Sequence, residues 1–179
     1  MGKESKFQSE LIILTGANGF TGRYVCKELK RKNINFIALL RPNTDTKWLD
    51  ENLIKYRFAD IYKYQDLVEA MDSCNILINA ASIGFGAAPI LLSACKKVGI
   101  DRALFVSTTA IFTKLNSASK SIRLEAEKQI TESRLNYTII RPTMIFGSKD
   151  DRNIFRLIKW IKKYPLIPVF QKGEGLQRP

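Results

Sequence analysis

The fold can be inferred from one stretch near the N-terminus, Leu11-Ile12-Ile13-Leu14-Thr15-Gly16-Ala17-Asn18-Gly19-Phe20-Thr21-Gly22-Arg23. A short apolar run ends at three glycines in the spacing G-x-x-G-x-x-G, and a helical pattern follows. This order predicts a buried strand, a tight turn and a helix whose first backbone N–H groups face outward. Those N–H groups and the positive end of the helix dipole favour an anion, typically a diphosphate.

Each of the three glycines has a separate predicted task. Gly16 turns the chain, Gly19 admits a phosphate close to the backbone, and Gly22 lets the helix pack closely on the strand. Because the pattern follows a strand and opens a helix, it indicates a dinucleotide cofactor. The predicted contacts are the residues of the turn, namely Gly16, Asn18, Gly19, Phe20, Thr21 and Gly22.

Short apolar runs alternate with helical patterns along the rest of the chain. We predict strands at 11–15, 36–40, 56–59, 75–79, 103–106, 137–141 and, as a last strand, 166–170. We predict helices at 20–32, 44–53, 65–71, 87–98, 119–133 and 153–163. This alternation is typical of βαβ units with right-handed crossovers. The expected fold is therefore α/β, a three-layer doubly wound parallel sheet of strand order about 3-2-1-4-5-6, with a seventh strand after the sixth.

Chain length and the distribution of apolar residues indicate a globular protein. The 179 residues suffice for one core, and we expect a single domain over 1–179. No apolar run approaches the roughly 20 residues that span a bilayer, and the polar start is unlike a signal peptide. We therefore expect no membrane partner.

Cysteine and histidine content restricts the chemistry. Cys26, Cys74 and Cys95 lack metal-ligand spacing and the chain has no histidine, which argues against a metal site, a Ser-His-Asp triad and a Cys-His dyad. Cys26 and Cys95 fall in helical patterns, where we interpret them as small buried apolar residues. An odd number of unpatterned cysteines suits a reducing compartment, and the predicted location is the cytoplasm.

The net charge is +12, from 29 basic and 17 acidic residues. Such a balance favours anionic partners. The basic residues are spread along the chain, and no aromatic-basic stripe or recognition motif accompanies them, so we do not expect nucleic acid. A solvated surface and the binding of anionic nucleotides are the two explanations left. The densest group is Arg152, Arg156, Lys159, Lys162 and Lys163.

The end of the second strand indicates which cofactor is bound. An acidic side chain there binds the ribose 2′-hydroxyl of NAD, whereas a cation accommodates the 2′-phosphate of NADP. Leu40-Arg41 stands at this position, and Arg23 follows the third glycine. We predict NADP as the preferred cofactor and NAD as the alternative, with Arg41 as the contact.

Two further strand ends carry predicted cofactor contacts. Asp60, next to Ile61, can accept from an adenine amino group, and its alternative role is the N-cap of the next helix. Ala80-Ala81-Ser82 forms a small-residue loop against which a ribose can lie.

Five motifs then occur in order over nearly the whole chain: GANGFTG at 16–22, DI at 60–61, NAA at 79–81, VSTTAIF at 106–112 and YTIIRPTMIFG at 137–147. Together they resemble the NAD-dependent epimerase/dehydratase family, the extended branch of the short-chain dehydrogenase/reductases, alongside its atypical NAD(P)-binding relatives. The resemblance implies a Rossmann domain that binds NAD(P). In active members it implies oxidation or reduction of a nucleotide-sugar or other small carbonyl or hydroxyl substrate.

Active members of that family use a Ser/Thr, and a Tyr and Lys in the motif Tyr-x-x-x-Lys. The resemblance implies Thr108 as the Ser/Thr, with Ser107 and Thr109 as alternatives of register. The segment 123–127, RLEAE, matches the family's Lys-x-x-Ala-Glu, which places Arg123 at the lysine and Ser119 at the tyrosine. Serine is no substitute for a phenol, and arginine stays protonated at neutral pH. Lys120 or Lys114 is the candidate for a lone-lysine mechanism.

Family members also carry a C-terminal substrate lobe after the stretch that resembles 173–179, and we expect that lobe to be absent or truncated here. Two functions follow from these observations. One is an oxidoreductase or epimerase acting on a small molecule that the sequence does not identify. The other is a catalytically silent NAD(P)-binding sensor or regulatory module without the Tyr/Lys pair. A homodimer is included among the expected assemblies.

Overall fold

The computed structural model describes residues 10–84, 86–113, 118–149, 151 and 154–164. Six strands form one parallel sheet: β1 Ile12–Thr15, β2 Phe36–Leu40, β3 Tyr56–Phe58, β4 Ile76–Asn79, β5 Arg102–Val106 and β6 Asn136–Ile140. The helices are α1 Phe20–Arg31, α2 Lys47–Glu51, α3 Tyr64–Ala70, α4 Ala87–Val98, α5 Ala118–Glu132 and α6 Ile154–Lys163, with a 3₁₀ turn at Thr109–Phe112.

The strand order is β3-β2-β1-β4-β5-β6, which confirms the predicted doubly wound sheet. Successive strands run outward from β1 in one direction and from β4 in the other. The reversal point is therefore the boundary between β1 and β4, where Ile12 pairs with Ile76 and Thr15 with Asn79. The predicted strand at 166–170, the stretch 173–179, Lys114 and Arg152 lie outside the described residues.

Alternating side chains of β1 build two cores, one on each face of the sheet. Ile12 and Leu14 pack with Cys26 and Leu29 of α1 on one face, whereas Ile13 packs with side chains of α3, α4 and α5 on the other. Period-two alternation on a sheet covered on both sides produces this division. The three-layer prediction is confirmed.

Three local predictions were wrong. The helical pattern of 20–32 predicts Tyr24, Val25 and Leu29 toward the sheet, but Tyr24 is 51% exposed, because the buried face of α1 runs through Gly22, Cys26 and Leu29 at helical spacing. The helix expected at 44–53 is confined to Lys47–Glu51. Asp60 is not the N-cap of α3, because that helix begins only after Lys63.

The three cysteines are buried free thiols. Burial raises the pKa of Cys26 to about 12 and that of Cys95 to about 12, and it also raises the pKa of Cys74. The predicted role of Cys26 and Cys95 as small apolar residues within helices is confirmed.

The chain separates into two compact units, 1–141 and 142–179. The sheet and the helices α1 to α5 belong to the first unit, and α6 belongs to the second. Within the described ranges, no helix is long and apolar enough to cross a membrane. The single domain over 1–179 stays a prediction.

Candidate functional site: a dinucleotide cradle at the carboxyl edge of the sheet

The predicted site residues are grouped at one edge of the sheet. Gly16 follows β1, Arg41 follows β2, and the Ala80–Ser82 loop follows β4. Asp60 comes two residues after β3, and Thr108 two residues after β5. In a doubly wound sheet, ligands bind outside the carboxyl ends of the strands at the reversal of strand order. That position here is the edge of the sheet where the β1 turn and the β4 loop meet.

Gly16 and Gly22 are required by the packing of the protein itself. Gly16 has φ +72°, and a Cβ there would lie 2.5 Å from the amide nitrogen of Ala81. A Cβ on Gly22 would lie 2.0 Å from the carbonyl oxygen of Gly16. Any side chain at either position would therefore force the turn apart from the β4 loop or α1 apart from the turn.

Gly19 differs from the other two glycines. Its φ of −79° suits any residue, and a Cβ would meet only the Gly16 carbonyl oxygen, at 3.2 Å. Gly19 is exposed and precedes α1, whose first turn has neither a side-chain cap nor an acidic residue. Phe20, Thr21 and Gly22 form that first turn, so their outward N–H groups mark a place for an anion. The arrangement fits a diphosphate.

A buried polar bridge supports the cradle from below. The Thr15 hydroxyl donates to Asn79 Oδ1 at 2.5 Å, and Asn79 Nδ2 donates to the Ala81 carbonyl at 2.9 Å. Thr15 is 2% and Asn79 1% exposed. This bridge joins the ends of β1 and β4 and fixes the loop that faces Gly16.

Asn18 and Arg23 are tied to the segment that follows β2. Asn18 Nδ2 donates to the Asp45 carbonyl at 2.7 Å, while its Oδ1 accepts from Arg23 Nε at 3.2 Å and Nη2 at 2.8 Å. The Arg23 guanidinium lies 5.0 Å from the ring centroid of Trp48. A cation is therefore held in place beside the glycine turn, and Arg41 is exposed directly after β2.

Asp60 and the loop after β4 complete the predicted cofactor contacts. The Asp60 carboxylate accepts from the backbone N–H of Tyr62 at 3.0 Å, which makes a turn rather than a helix cap. Ile61 is half-buried and packs on the core. Ala81 is half-buried, and Ser82 is exposed at the edge.

A second cluster lies at the ends of β5 and β6, around the carboxylate of Glu127 on α5. Ser107 donates its hydroxyl to Glu127 Oε1 at 2.5 Å, and Arg141 donates to the two carboxylate oxygens over 2.7–3.1 Å. Glu127 is 5% exposed. The hydrogen bonds that Arg141 donates to Glu127 raise the pKa of its guanidinium. This cluster joins β5, β6 and α5 next to the predicted catalytic residues.

The residues predicted for catalysis are engaged in local contacts. The Thr108 hydroxyl accepts from the Ala110 N–H at 3.2 Å and so caps the 3₁₀ turn. Lys120 Nζ donates to the Thr113 carbonyl at 2.7 Å. Ser119 and Arg123 lie one turn apart on α5, with Arg123 Nη1 3.4 Å from Ser119 Oγ. The aliphatic stem of Arg123 lies beside Gly84 of the β4 loop.

Sequence reasoning missed three functional contacts: the Thr15–Asn79 bridge, the Glu127 cluster and Trp48 beneath Arg23. Asn79 and Glu127 stand inside recognised motifs, but a motif does not say which side chains meet across the sheet. A lone tryptophan shortly after the second strand was the available signal for Trp48. In the part of the chain that the structure describes, no three His, Cys, Asp or Glu side chains group to hold a metal ion.

Comparison with known proteins agrees with this geometry. The family described as NAD(P)H-binding matches residues 16–159. The mitochondrial NADH dehydrogenase [ubiquinone] 1 alpha subcomplex subunit 9 of Dictyostelium discoideum is 28% identical and covers 97% of this chain and 53% of its own length. The corresponding protein of Mus musculus is 26% identical, with coverages of 93% and 49%. The chain thus spans about half the length of the curated relatives it matches.

Solved structures share the fold. A short-chain dehydrogenase/reductase from Veillonella parvula in complex with NADP has a TM-score of 0.67 at 17% identity, over 78% of this chain and 71% of that one. A putative NAD-dependent epimerase/dehydratase from Bacillus halodurans has a TM-score of 0.68 at 23% identity, over 78% and 73%. The predicted resemblance is confirmed: this chain belongs to the NAD(P)H-binding family and has the Rossmann fold of short-chain dehydrogenase/reductases and epimerase/dehydratases.

Proposed function

We propose that this chain holds NADP(H) at the carboxyl edge of its sheet as a cofactor-binding module. The observation that carries the proposal is Gly19, whose backbone conformation suits any residue and whose Cβ would meet only the Gly16 carbonyl oxygen, at 3.2 Å. A diphosphate approaching the uncapped first turn of α1 accounts for the missing side chain. Asn18, Phe20 and Thr21 in the turn, and Asp60, Ile61 and Ala80–Ser82 at neighbouring strand ends, line the rest of the proposed site.

The preference for NADP rests on two cations. Arg41 is exposed at the end of β2, and Arg23 is fixed between Asn18 and Trp48 against the segment that follows this strand. The nearby Asp45 carboxylate accepts from the Lys47 N–H. Guanidinium groups bind phosphate through parallel N–H donors, so a 2′-phosphate gains contacts here that a 2′-hydroxyl does not.

The region around α5 supports holding the cofactor rather than the Tyr/Lys mechanism. Ser119 and Arg123 occupy the positions that the family resemblance gives to tyrosine and lysine. Arg123 keeps a cation beside the β4 loop, and in active members the lysine at this position is expected to hold the nicotinamide ribose. Ser119, however, provides no acid of suitable pKa. Similarity to NADH dehydrogenase subunits over most of the chain supports a protein assembly as the partner.

An oxidoreductase or epimerase acting on a small carbonyl or hydroxyl compound is the second candidate function. The placement of Thr108 at the carboxyl end of β5, within two residues of the strand, favours it. Lys120 would supply the proton in that case. It would first have to release the Thr113 carbonyl.

Binding and turnover are separable by experiment. We expect NADPH titration, followed by the fluorescence of the reduced nicotinamide, to show saturable binding, and Gly19→Ala to abolish it. Failure of the unchanged protein to bind either NADPH or NADH would overturn the proposal. Bound NADPH should persist unoxidised when small aldehydes, ketones and nucleotide-sugars are added. Oxidation of bound NADPH that is lost in Lys120→Ala would instead establish the second function.

The remaining expectations are proposals as well. The buried thiols support a reducing compartment, and the cytoplasm is the proposed location. The names of the relatives make the mitochondrion the alternative, and imaging of a tagged full-length protein distinguishes the two. A homodimer is proposed with light scattering as its test.

A further inference from the structure

We propose that α6 lies flat on the surface of an anionic lipid bilayer, with its apolar face in the interface and its lysines over the headgroups. This goes beyond cofactor binding and departs from the expectation of no membrane partner. It concerns attachment to one leaflet and is independent of any spanning segment.

The apolar face of α6 is continuous. Ile154, Leu157, Ile158 and Ile161 recur at spacings of three and four, so they share one side of the helix. Leu157, Ile158 and Ile161 are exposed, with 40–47% of each residue accessible. A continuous row of large exposed aliphatic side chains indicates a surface that binds an apolar partner.

The charged residues of the helix are all basic. Arg156, Lys159, Lys162 and Lys163 give the ten-residue helix a charge of +4, and the helix contains no acidic residue. Lys159 and Lys163 are one turn apart, and each ammonium group lies over an aromatic ring, Phe155 at 4.9 Å and Tyr164 at 5.3 Å. Ammonium groups over rings bring charge and aromatic surface together, and lysine stems are long enough to carry that charge to the polar side of a boundary between apolar and polar media.

Aromatic side chains flank the apolar face. Trp160 is exposed and its ring centroid is 5.3 Å from that of Tyr164. Tryptophan and tyrosine favour the headgroup level, because one end of each ring system is apolar and the other carries a hydrogen-bonding group. An exposed basic amphipathic helix with Trp, Phe and aliphatic residues is the pattern of an interfacial helix.

Charge favours the bilayer over a second copy of this chain. A second copy also has a net charge of +12, and pairing two α6 helices would place a charge of +4 next to another charge of +4, which is repulsive. An anionic leaflet offers an apolar layer and negative charge together, and each Lys or Arg near such a surface strengthens binding about fivefold.

The test uses the full chain and vesicles of phosphatidylcholine alone or with about a third of phosphatidylglycerol. We expect co-sedimentation with anionic vesicles at low salt, at least about tenfold weaker binding to neutral ones, and a blue shift of Trp160 emission in a Trp48→Phe background. The basic variant Lys159→Gln/Lys162→Gln/Lys163→Gln should bind anionic vesicles about 100-fold more weakly, as three contributions of about fivefold require.

Two comparisons keep the test specific. Leu157→Gln/Ile161→Gln should remove the blue shift while the charge is unchanged. Lys96→Gln/Lys97→Gln/Lys128→Gln removes the same charge from exposed positions on α4 and α5 and should change binding less than about threefold. Equal losses in the two triple variants, an unchanged blue shift in the apolar variant, or absence of vesicle binding would each overturn the proposal. Self-association that depends on α6 without vesicle binding would assign the face to a second copy and overturn it too.

Discussion

Gly22 and the carbonyl oxygen of Gly16 are in such close contact that a Cβ on Gly22 would come within 2.0 Å of that oxygen. The first turn of α1 therefore packs directly on the glycine turn. Gly19, between them, has no such neighbour: its nearest obstacle is the same oxygen at 3.2 Å. Gly22 is therefore needed for packing, whereas Gly19 is expected to leave room for a ligand.

This difference predicts opposite results for two alanine substitutions. Gly22→Ala should destabilise the protein by about 3 kcal/mol, because the helix must move off the turn. Gly19→Ala should change the free energy of unfolding by less than about 1 kcal/mol, yet lose NADPH binding. Urea unfolding and NADPH titration measure the two effects. A Gly19→Ala protein that binds NADPH normally would refute the cradle.

The bridge beneath the cradle predicts a coupled loss. Asn79→Ala leaves the Thr15 hydroxyl and the Ala81 carbonyl without their partner, which should cost about 2–3 kcal/mol of stability and weaken NADPH binding. The matched control is Asn75→Ala, at the residue that immediately precedes β4. Asn75 accepts from the Leu11 N–H at an exposed position, so its removal should cost less than about 1 kcal/mol and leave binding intact.

Cofactor preference should depend on the two arginines. We expect NADPH to bind more tightly than NADH, and Arg41→Ala to remove the difference by weakening only NADPH. Arg23→Ala should act in the same direction and also loosen Asn18, which loses both of its guanidinium contacts. Arg134→Ala, an exposed arginine after α5, serves as the control. Equal affinities of the unchanged protein for NADPH and NADH would show that Arg41 has no such role.

The Glu127 cluster predicts a clear loss from a small change. Glu127→Gln keeps the shape of the side chain but removes the anion that pairs with the exposed Arg141 guanidinium, and we expect a loss of about 1–2 kcal/mol in urea unfolding. Glu125→Gln, on the exposed side of the same helix, should cost less than about 0.5 kcal/mol. Similar costs for the two variants would mean that Glu127 does not hold the strand ends together.

Alkaline pH should unfold the protein through its buried thiols. The folded pKa values of Cys26 and Cys95, about 12, lie above the ordinary value of 9.0. The unfolded chain therefore releases these protons first, and stability falls between about pH 9 and 12, by up to about 1.4 kcal/mol per pH unit for each thiol. Below pH 9 both thiols are protonated in the folded and the unfolded protein, so they do not make the free energy of unfolding depend on pH. Urea unfolding across this range should show a shallower fall for Cys95→Ala; identical slopes would count against the buried-thiol explanation.

Much of the fold followed from the sequence because local patterns determine it. The apolar run before Gly16, the glycine spacing and the alternation of strands and helices predicted the strand order and both covered faces. The side that α1 buries was harder to predict, since Tyr24 and Cys26 both fit an apolar stripe. The structure buries Cys26, which is small enough to lie between helix and sheet.

The contacts that complete the site could not be predicted for a different reason. Thr15 and Asn79 are 64 positions apart, and their hydrogen bond exists only because β1 and β4 pair in one register. Glu127 is a charged residue of a kind normally placed in water. Its burial requires Arg141 and Ser107 from two neighbouring strands, which no single segment of the sequence reveals.

The position of Glu127 on α5 has a consequence for how such proteins diverge. One buried carboxylate fixes the axial and rotational setting of the helix, and Arg123 and Ser119 follow it one and two turns toward the N-terminus on the same side. Residue types at those two positions can therefore be exchanged while the helix keeps its alignment with the strands. A reductase and a protein that only binds its cofactor can then share one backbone and differ at these two positions.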